Sequence, residues 1–260
     1  TRSDPPATAA TRATASRAAR SLAIDGRDDD EVWSNAMPIT AFQEFEPTEG
    51  KDPRFPTEAK VAYDARNLYV FVRAYDSEPH RILRLLARRD VRTPSDQIKI
   101  MIDSYHDRRS GYEFAVNPAG VKRDYVIYDD RVEDDAWDGQ WEVATTVDSL
   151  GWTAEFRIPL SQLRYPKAES QTFGFAIHRD IDRFRERVSW PLFRRNRAGL
   201  VSQLGEVTGI TGLSSPQRLE IAPYVVTKNV TVPVSTGFGR DQRLTGGADF
   251  KYGITSNLTL

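Results

Sequence analysis

Three histidines, a dense run of acids and one arginine-rich stretch are the groups in this 260-residue chain equipped for chemistry. His80, His106 and His178 stand far apart, and none forms a pair at metal-ligand spacing. The sequence has no G-x-S-x-G, no H-E-x-x-H, no phosphate-binding loop and no G-x-G-x-x-G. Nucleophilic, zinc-hydrolytic and nucleotide chemistry therefore lack their usual signs. With no cysteine, thiol catalysis, iron–sulfur clusters and C-x-x-C-H haem attachment are excluded. Residues 124–138 hold Asp124, Asp129, Asp130, Glu133, Asp134, Asp135 and Asp138 against a single Arg131, a local balance of −6. Two carboxylates roughly 5–10 Å apart suffice for glycoside hydrolysis, whereas calcium takes about six to eight oxygens. A catalytic pair, a calcium loop and a solvated hairpin tip are all compatible with this run. Asp103 and Asp107, around a turn, form a second calcium candidate. No other cofactor is expected.

Aromatic and cationic side chains point toward binding. Trp137 and Trp141 bracket Asp138-Gly139, and Trp190 lies within residues 183–197, where six arginines face one Glu186 for a local +5. Flat aromatic faces hold sugar rings, and Trp beside Arg anchors protein partners. Trp137, Trp190, Arg183, Arg185, Arg194 and Arg195 are therefore candidate contacts. His178 joins them: it alternates with Gly174 and Ala176, two small residues that suit a groove. Trp141 and Trp152 alternate with polar neighbours and read as core, and Trp33 as a plug at the sandwich end. A net charge of −1 argues against a nucleic-acid partner. Complementary −6 and +5 segments suit docking.

The elements that must position these groups are strands. From Ser21 to about Leu213 apolar residues recur with period two. Trp152, Ala154, Phe156 and Ile158 alternate with Thr153, Glu155 and Arg157; Ile98, Ile100 and Ile102 with Lys99, Met101 and Asp103; and Tyr112, Phe114 and Val116 with Glu113, Ala115 and Asn117. Ala59–Tyr63 and Leu68–Tyr75 flank a polar turn at 64–67, and further strands are expected at Val121–Tyr128, Trp141–Val147 and Phe173–Ile181. The pattern is all-β, an antiparallel, jelly-roll-like sandwich over residues 21–213. Within 81–92 the spacing of Ile82, Leu85 and Leu86 fits one helical turn. Residues 1–20 form an extended, low-complexity leader of Ala, Thr and Arg with no large apolar side chain, the kind of segment that a partner or a lattice contact holds in place. A leader that lacks Met and is built of small residues is expected to follow a removed export signal. Residues 214–260 change grammar: 219–226, 244–252 and 254–260 alternate small or polar with apolar residues, as outer-membrane barrel strands do. Three strands close no barrel, so either more chain follows or the strands borrow an edge from a partner. No stretch approaches the ~18 apolar residues of a membrane-spanning helix.

The residues also carry a family resemblance. Ile24-Asp25-Gly26-Arg27-Asp28-Asp29-Asp30-Glu31-Val32-Trp33 resembles the opening of family 9 carbohydrate-binding-module-like domains. The blocks 63–70, 107–120 and 137–142 are similar to a branch in which this sandwich precedes an outer-membrane barrel of unknown function, and 247–260 resembles the start of that barrel. The resemblance implies a jelly-roll-like sandwich, export, and a periplasmic or cell-envelope address in a Gram-negative-type bacterium; it implies no established activity.

These observations lead to a non-catalytic extracytoplasmic module that binds a glycan or envelope polymer. A second reading is an accessory subunit docked by its extended ends on the periplasmic face of a membrane complex, whether transport, respiratory or photosynthetic. A glycoside-active enzyme using acids among 124–138 is the third.

Overall fold

The computed structural model describes residues 11–213, 218–235 and 237–253. It divides into two units, Thr1–Ser215 and Pro216–Leu260.

In the first unit the strands are β1 (Arg12–Thr14), β2 (Ser16–Arg17), β3 (Gln43–Glu46), β4 (Thr57–Tyr63), β5 (Asn67–Tyr75), β6 (Gln97–Asp103), β7 (Gly111–Val116), β8 (Lys122–Tyr128) and β9 (Val132–Asp134). They continue with β10 (Glu142–Asp148), β11 (Gly151–Pro159), β12 (Ser170–Ile181), β13 (Glu186–Trp190) and β14 (Gly205–Thr211); one short helix, α1, spans Glu31–Asn35. The larger sheet runs β1-β14-β12-β6-β7-β8-β9, with β13 and β3 continuing from β12; the smaller runs β10-β11-β5-β4-β2. At twelve residues, β12 is long enough to pair with β14 through residues 170–175 and with β13 through 177–181. The antiparallel sandwich read from period two is thus present, with polar turns where expected: Asp64 accepts from the Arg66 and Asn67 amides and closes the β4–β5 hairpin.

The core lies between the sheets. Phe173, Phe175 and Ile177 of β12 meet Trp152, Ala154 and Phe156 of β11, with Trp141 stacked on Phe156 at 5.8 Å. Burial of such side chains contributes about 1.5–3 kcal/mol each, which lets a cysteine-free chain hold this shape.

Two expectations are corrected here. Residues 11–18 are held by the sandwich itself. β1 pairs parallel with β14 and β2 parallel with β4, so the segment bridges the two sheets along one edge. Strand pairing uses backbone groups that every residue carries, and Ala15 and Ala18 are small enough to be buried there. The first ten leader residues lie outside the described ones. Residues 81–92 contain no α-helical turn. A 3₁₀ turn covers Pro79–Arg81, and the chain then runs irregularly, because Leu83 and Leu85 give their carbonyls to Ser95, Asp96 and Asn117 and not to a helix.

The second unit is a hairpin, β15 (Arg218–Val234) and β16 (Gly237–Gly253), in one continuous register. Each strand is 17 residues, far beyond the usual 5–6, and the strands expected at 219–226 and 244–252 fall within it. Tyr224 lies over Gly247, where any side chain would collide with its ring. The strand expected at 254–260 lies outside the described residues.

Candidate functional site

Each sheet has an outer face, and the sequence treats them differently. On the smaller sheet, Ala62, Tyr69 and Phe71 point outward and are covered by Ala18, Leu22, Val32, Trp33 and Ala36. Trp33 therefore seals an outer face, 5.8 Å from Phe71, and does not plug the sandwich end. Glu155 fastens this cover. Its carboxylate accepts from the Asp25 and Gly26 amides at 3.0 Å and from Trp33 Nε1 at 3.1 Å. Gly26 has φ +82°, and a Cβ there would sit 2.9 Å from Thr146 Oγ1, so the turn requires glycine. The 24–33 motif is thus a structural clasp.

On the larger sheet the strand registers place Ser189, His178, Lys99, Ala115 and Arg123 in one row, and Ala176, Met101, Glu113 and Tyr125 in the next. Val201 and Leu204 cover part of this face by packing on Met101, Ala176 and Tyr125. Asp130 pins that cover, accepting from the Leu200 and Ser202 amides and the Ser202 hydroxyl. Gly174 and Ala176, expected to open a groove, instead lie beneath Asp103 and the cover; a Cβ on Gly174 would meet Asp103 Cβ at 2.8 Å.

Beside the cover a polar strip remains. Lys99 Nζ pairs with Asp180 Oδ2 at 2.6 Å, and Arg187 reaches Asp180 at 3.8 Å and Glu46 at 3.1 Å. Arg123 approaches Glu113 at 3.4 Å. The His178 ring sits between Phe45 and Phe193, at 5.1 and 5.8 Å. Burial, reinforced by the Lys99 charge, pushes the His178 pKa down to about 3 and keeps its imidazole neutral. Burial raises the Glu113 carboxyl, with Lys99 opposing it. Burial also acts on Asp180, yet Lys99 outweighs it and holds that carboxyl below its usual range. Lys99, Asp180 and Arg187 reach solvent at the rim while His178 and Glu113 lie beneath. The strip thus offers N–H donors, carboxylate acceptors and an uncharged imidazole edged by aromatic rings, with its charges internally matched. Such a surface hydrogen-bonds hydroxyl groups without demanding a charged ligand.

Of the expected site residues, only His178 belongs to this strip. Trp190 is 2% exposed and on the inner face, 6.4 Å from Phe175. That corrects its reading as a surface anchor: Val188 and Trp190 point into the core while Arg187 and Ser189 point out. Trp137 is half-buried elsewhere, against Tyr112 at 5.2 Å and Phe114 at 5.9 Å. Arg183 is chelated by Asp76 at 2.7 and 2.8 Å. Arg194 and the Arg195 amide both bind Glu49, and Arg185 stands exposed in a left-handed turn at φ 51°. The +5 stretch is therefore dispersed over several places, with Arg183, Arg187 and Arg194 ion-paired, and forms no single basic patch.

The acidic run is dispersed as well. Asp124 is buried under Arg89 and the Gly139 amide; Asp129 pairs with Arg109, Glu133 with Arg92 and Asp138 with Arg89. Asp103 and Asp107 are taken up by turn amides. Among the described residues no three metal-ligating groups gather. Lys99, Glu113, Arg123 and Asp180 are not among the expected site residues, although their alternation with core residues is visible in the sequence; only the pairing of β6, β7, β8 and β12 brings them together.

An antiparallel sandwich with one sealed face and one polar, aromatic-edged face places the chain in the class of all-β sandwich domains. Residues 24–190 match the carbohydrate family 9 binding domain-like family, and the chain belongs to it. Among solved structures, a family 9 carbohydrate binding module from Caldicellulosiruptor kristjanssonii in complex with glucose is 21% identical, with a TM-score of 0.55 over 79% of this chain and 100% of that one. The same organism's module in complex with cellotriose is also 21% identical, with a TM-score of 0.53 over 76% and 92%. A candidate carbohydrate-binding protein from Bacteroides uniformis ATCC 8492 is 13% identical, with a TM-score of 0.59 over 76% and 98%. No curated protein matches the chain.

Proposed function

We propose that the sandwich is a non-catalytic, extracytoplasmic binding module that recognises a glycan or envelope polymer through the polar strip on its larger sheet. The observation that carries this reading is the strip itself, in a chain of this family: His178 held neutral between two rings, with Lys99, Asp180 and Arg187 at the rim. No cofactor takes part in it. Titration calorimetry against a panel that includes glucose and cellotriose tests it. Heat is expected with at least one glycan and is lost in Lys99→Met; no heat with any glycan from a folded sample overturns it.

The hairpin favours a second, compatible reading. Ile221, Val225, Phe238 and Leu244 share one register face, and all four are more than half exposed. The same face also carries Arg240 and Gln242, and the other face sets Lys228, Asp241 and Arg243 beside exposed Val226 and Val232. Exposed apolar side chains on strands longer than the ~9–11 residues of a bilayer crossing support a barrel-type membrane segment and hence a cell-envelope address. Alternatively, the hairpin lies on subunits of a membrane complex. Purification in mild detergent separates the cases, and elution as a lone 29.4 kDa monomer in detergent-free buffer overturns both.

A further inference from the structure

The loop between β5 and β6 displays apolar side chains that the fold does not use. Leu86 is 83% exposed, Val91 50% and Leu85 47%. Backbone contacts fix this display. Ser95 and the Asp96 amide donate to the Leu83 carbonyl at 2.7 and 3.0 Å, buried Asn117 donates to the Leu85 carbonyl at 2.7 Å, and the Asp90 amide donates to Lys122 at 3.1 Å. The loop is thus closed on itself at Leu83 and tied to the β7–β8 hairpin at Leu85 and Asp90, with Leu85 and Leu86 turned outward.

Its arginines fall into two groups. Arg81, Arg89 and Arg92 are spent on Glu78, on Asp124 and Asp138, and on Glu133. Arg84 and Arg88 are exposed and pair with no acid among the described residues. They bracket the two leucines in Arg84-Leu85-Leu86-Ala87-Arg88. An apolar pair between two free guanidinium groups matches a bilayer surface, where phosphate oxygens lie immediately above hydrocarbon. Protein hot spots draw on Trp, Tyr and Arg, and leucine is under-represented in them, so the composition favours lipid over an acidic protein. We propose that residues 84–91 dock the sandwich on an anionic phospholipid surface, with Leu85 and Leu86 entering the headgroup layer and Arg84 and Arg88 on phosphates. This site is separate from the polar strip and does not depend on the carbohydrate reading.

The full chain is tested by co-sedimentation with phosphatidylcholine vesicles, pure or with about one-third phosphatidylglycerol. Arg84→Gln/Arg88→Gln is expected to weaken binding to the anionic vesicles about thirty-fold, and Leu85→Ser/Leu86→Ser at least about tenfold. Every chain compared carries Phe238→Ser/Leu244→Ser, which removes exposed apolar contact from the hairpin, so that vesicle binding reports the loop. Because all four loop side chains are exposed, melting temperatures stay unchanged. The chain has no cysteine, so Leu86→Cys carries a single polarity-sensitive fluorophore, which shifts to the blue on anionic vesicles. Failure to bind anionic vesicles, equal binding to neutral ones, equal binding by the variants, or a fluorophore response to polyglutamate in place of vesicles each overturns the proposal.

Discussion

The two outer faces of the sandwich carry buried titratable groups of opposite chemistry, and each is set by what covers it. Over the smaller sheet the chain's own segment 18–36 closes the surface, and Glu155 serves as an anchor for three N–H donors. Over the larger sheet the cover stops at Leu204 and leaves His178 beside Lys99 and Asp180. Burial pushes the Glu155 carboxyl up to about 6, against the pull of its hydrogen bonds, and pushes the His178 imidazole down to about 3. A face sealed by the chain is structural. A face left with polar groups at its rim is where a ligand can enter.

Acid should therefore act on the two faces with opposite sign, and His178 should give the larger effect. Its folded pKa lies below the unfolded value of 6.5, so its contribution is present above pH 6.5 and is lost as pH falls toward 3. The span corresponds to about 5 kcal/mol. Urea denaturation from pH 7 to 3 should show His178→Gln losing less stability than the parent by that order; parallel curves would break the assignment of a buried neutral imidazole.

Removing the seal tests the other face. Trp33 is fully buried against Phe71, and Trp33→Ala should cost about 3–5 kcal/mol while leaving any glycan heat intact at low temperature. A cost below about 1 kcal/mol would mean that the clasp is an ornament of the fold.

Part of this contrast was legible in the sequence and part was not. Alternation along β6, β7, β11 and β12 identifies the inward residues, including Trp152, because a strand with one buried face must alternate. Trp190 was missed because charge counted over 183–197 hides a two-residue period in which only Arg187 and Ser189 face out. The row from Ser189 through His178 and Lys99 to Arg123 needs four strand pairings, three between consecutive strands and one, β6 with β12, between residues far apart in sequence. Register of that kind is fixed by packing across the sheet and cannot be read from one strand at a time. The leader was misjudged for a related reason: side-chain composition does not report backbone pairing to a sheet edge.

Glu155 gives the next effect. Its folded pKa lies above the unfolded 4.5, so the contribution is present below pH 4.5 and is lost as pH rises through about 6. The difference in stability between the parent and Glu155→Gln should fall by about 2 kcal/mol across that window. A difference that grows with pH would reverse the sign assigned to the sealed face and remove its contrast with His178.

The smallest effect sharpens where the open face ends. Arg194 and Arg195 are among the cations expected as ligand contacts, yet Glu49 engages both, Arg194 through its guanidinium and Arg195 through its backbone: Arg194 Nη1 lies 3.1 Å from Oε1, and the Arg195 amide donates to Oε2 at 3.1 Å. These hydrogen bonds lower the Glu49 carboxyl, Arg194 first, but the pair is solvent-screened. Exposed, solvent-screened ion pairs of this kind add little to stability, so Arg194→Ala should shift the urea midpoint barely at all. It should leave glycan heat unchanged too, because a guanidinium already occupied by a carboxylate has no reason to release it for a neutral hydroxyl. Lys99→Met, a short way across the same sheet, should abolish that heat. If Arg194→Ala abolished it instead, the boundary of the ligand surface would have to move from the β6–β12 strip to the 191–197 loop, and the neutral His178 would be left as packing alone.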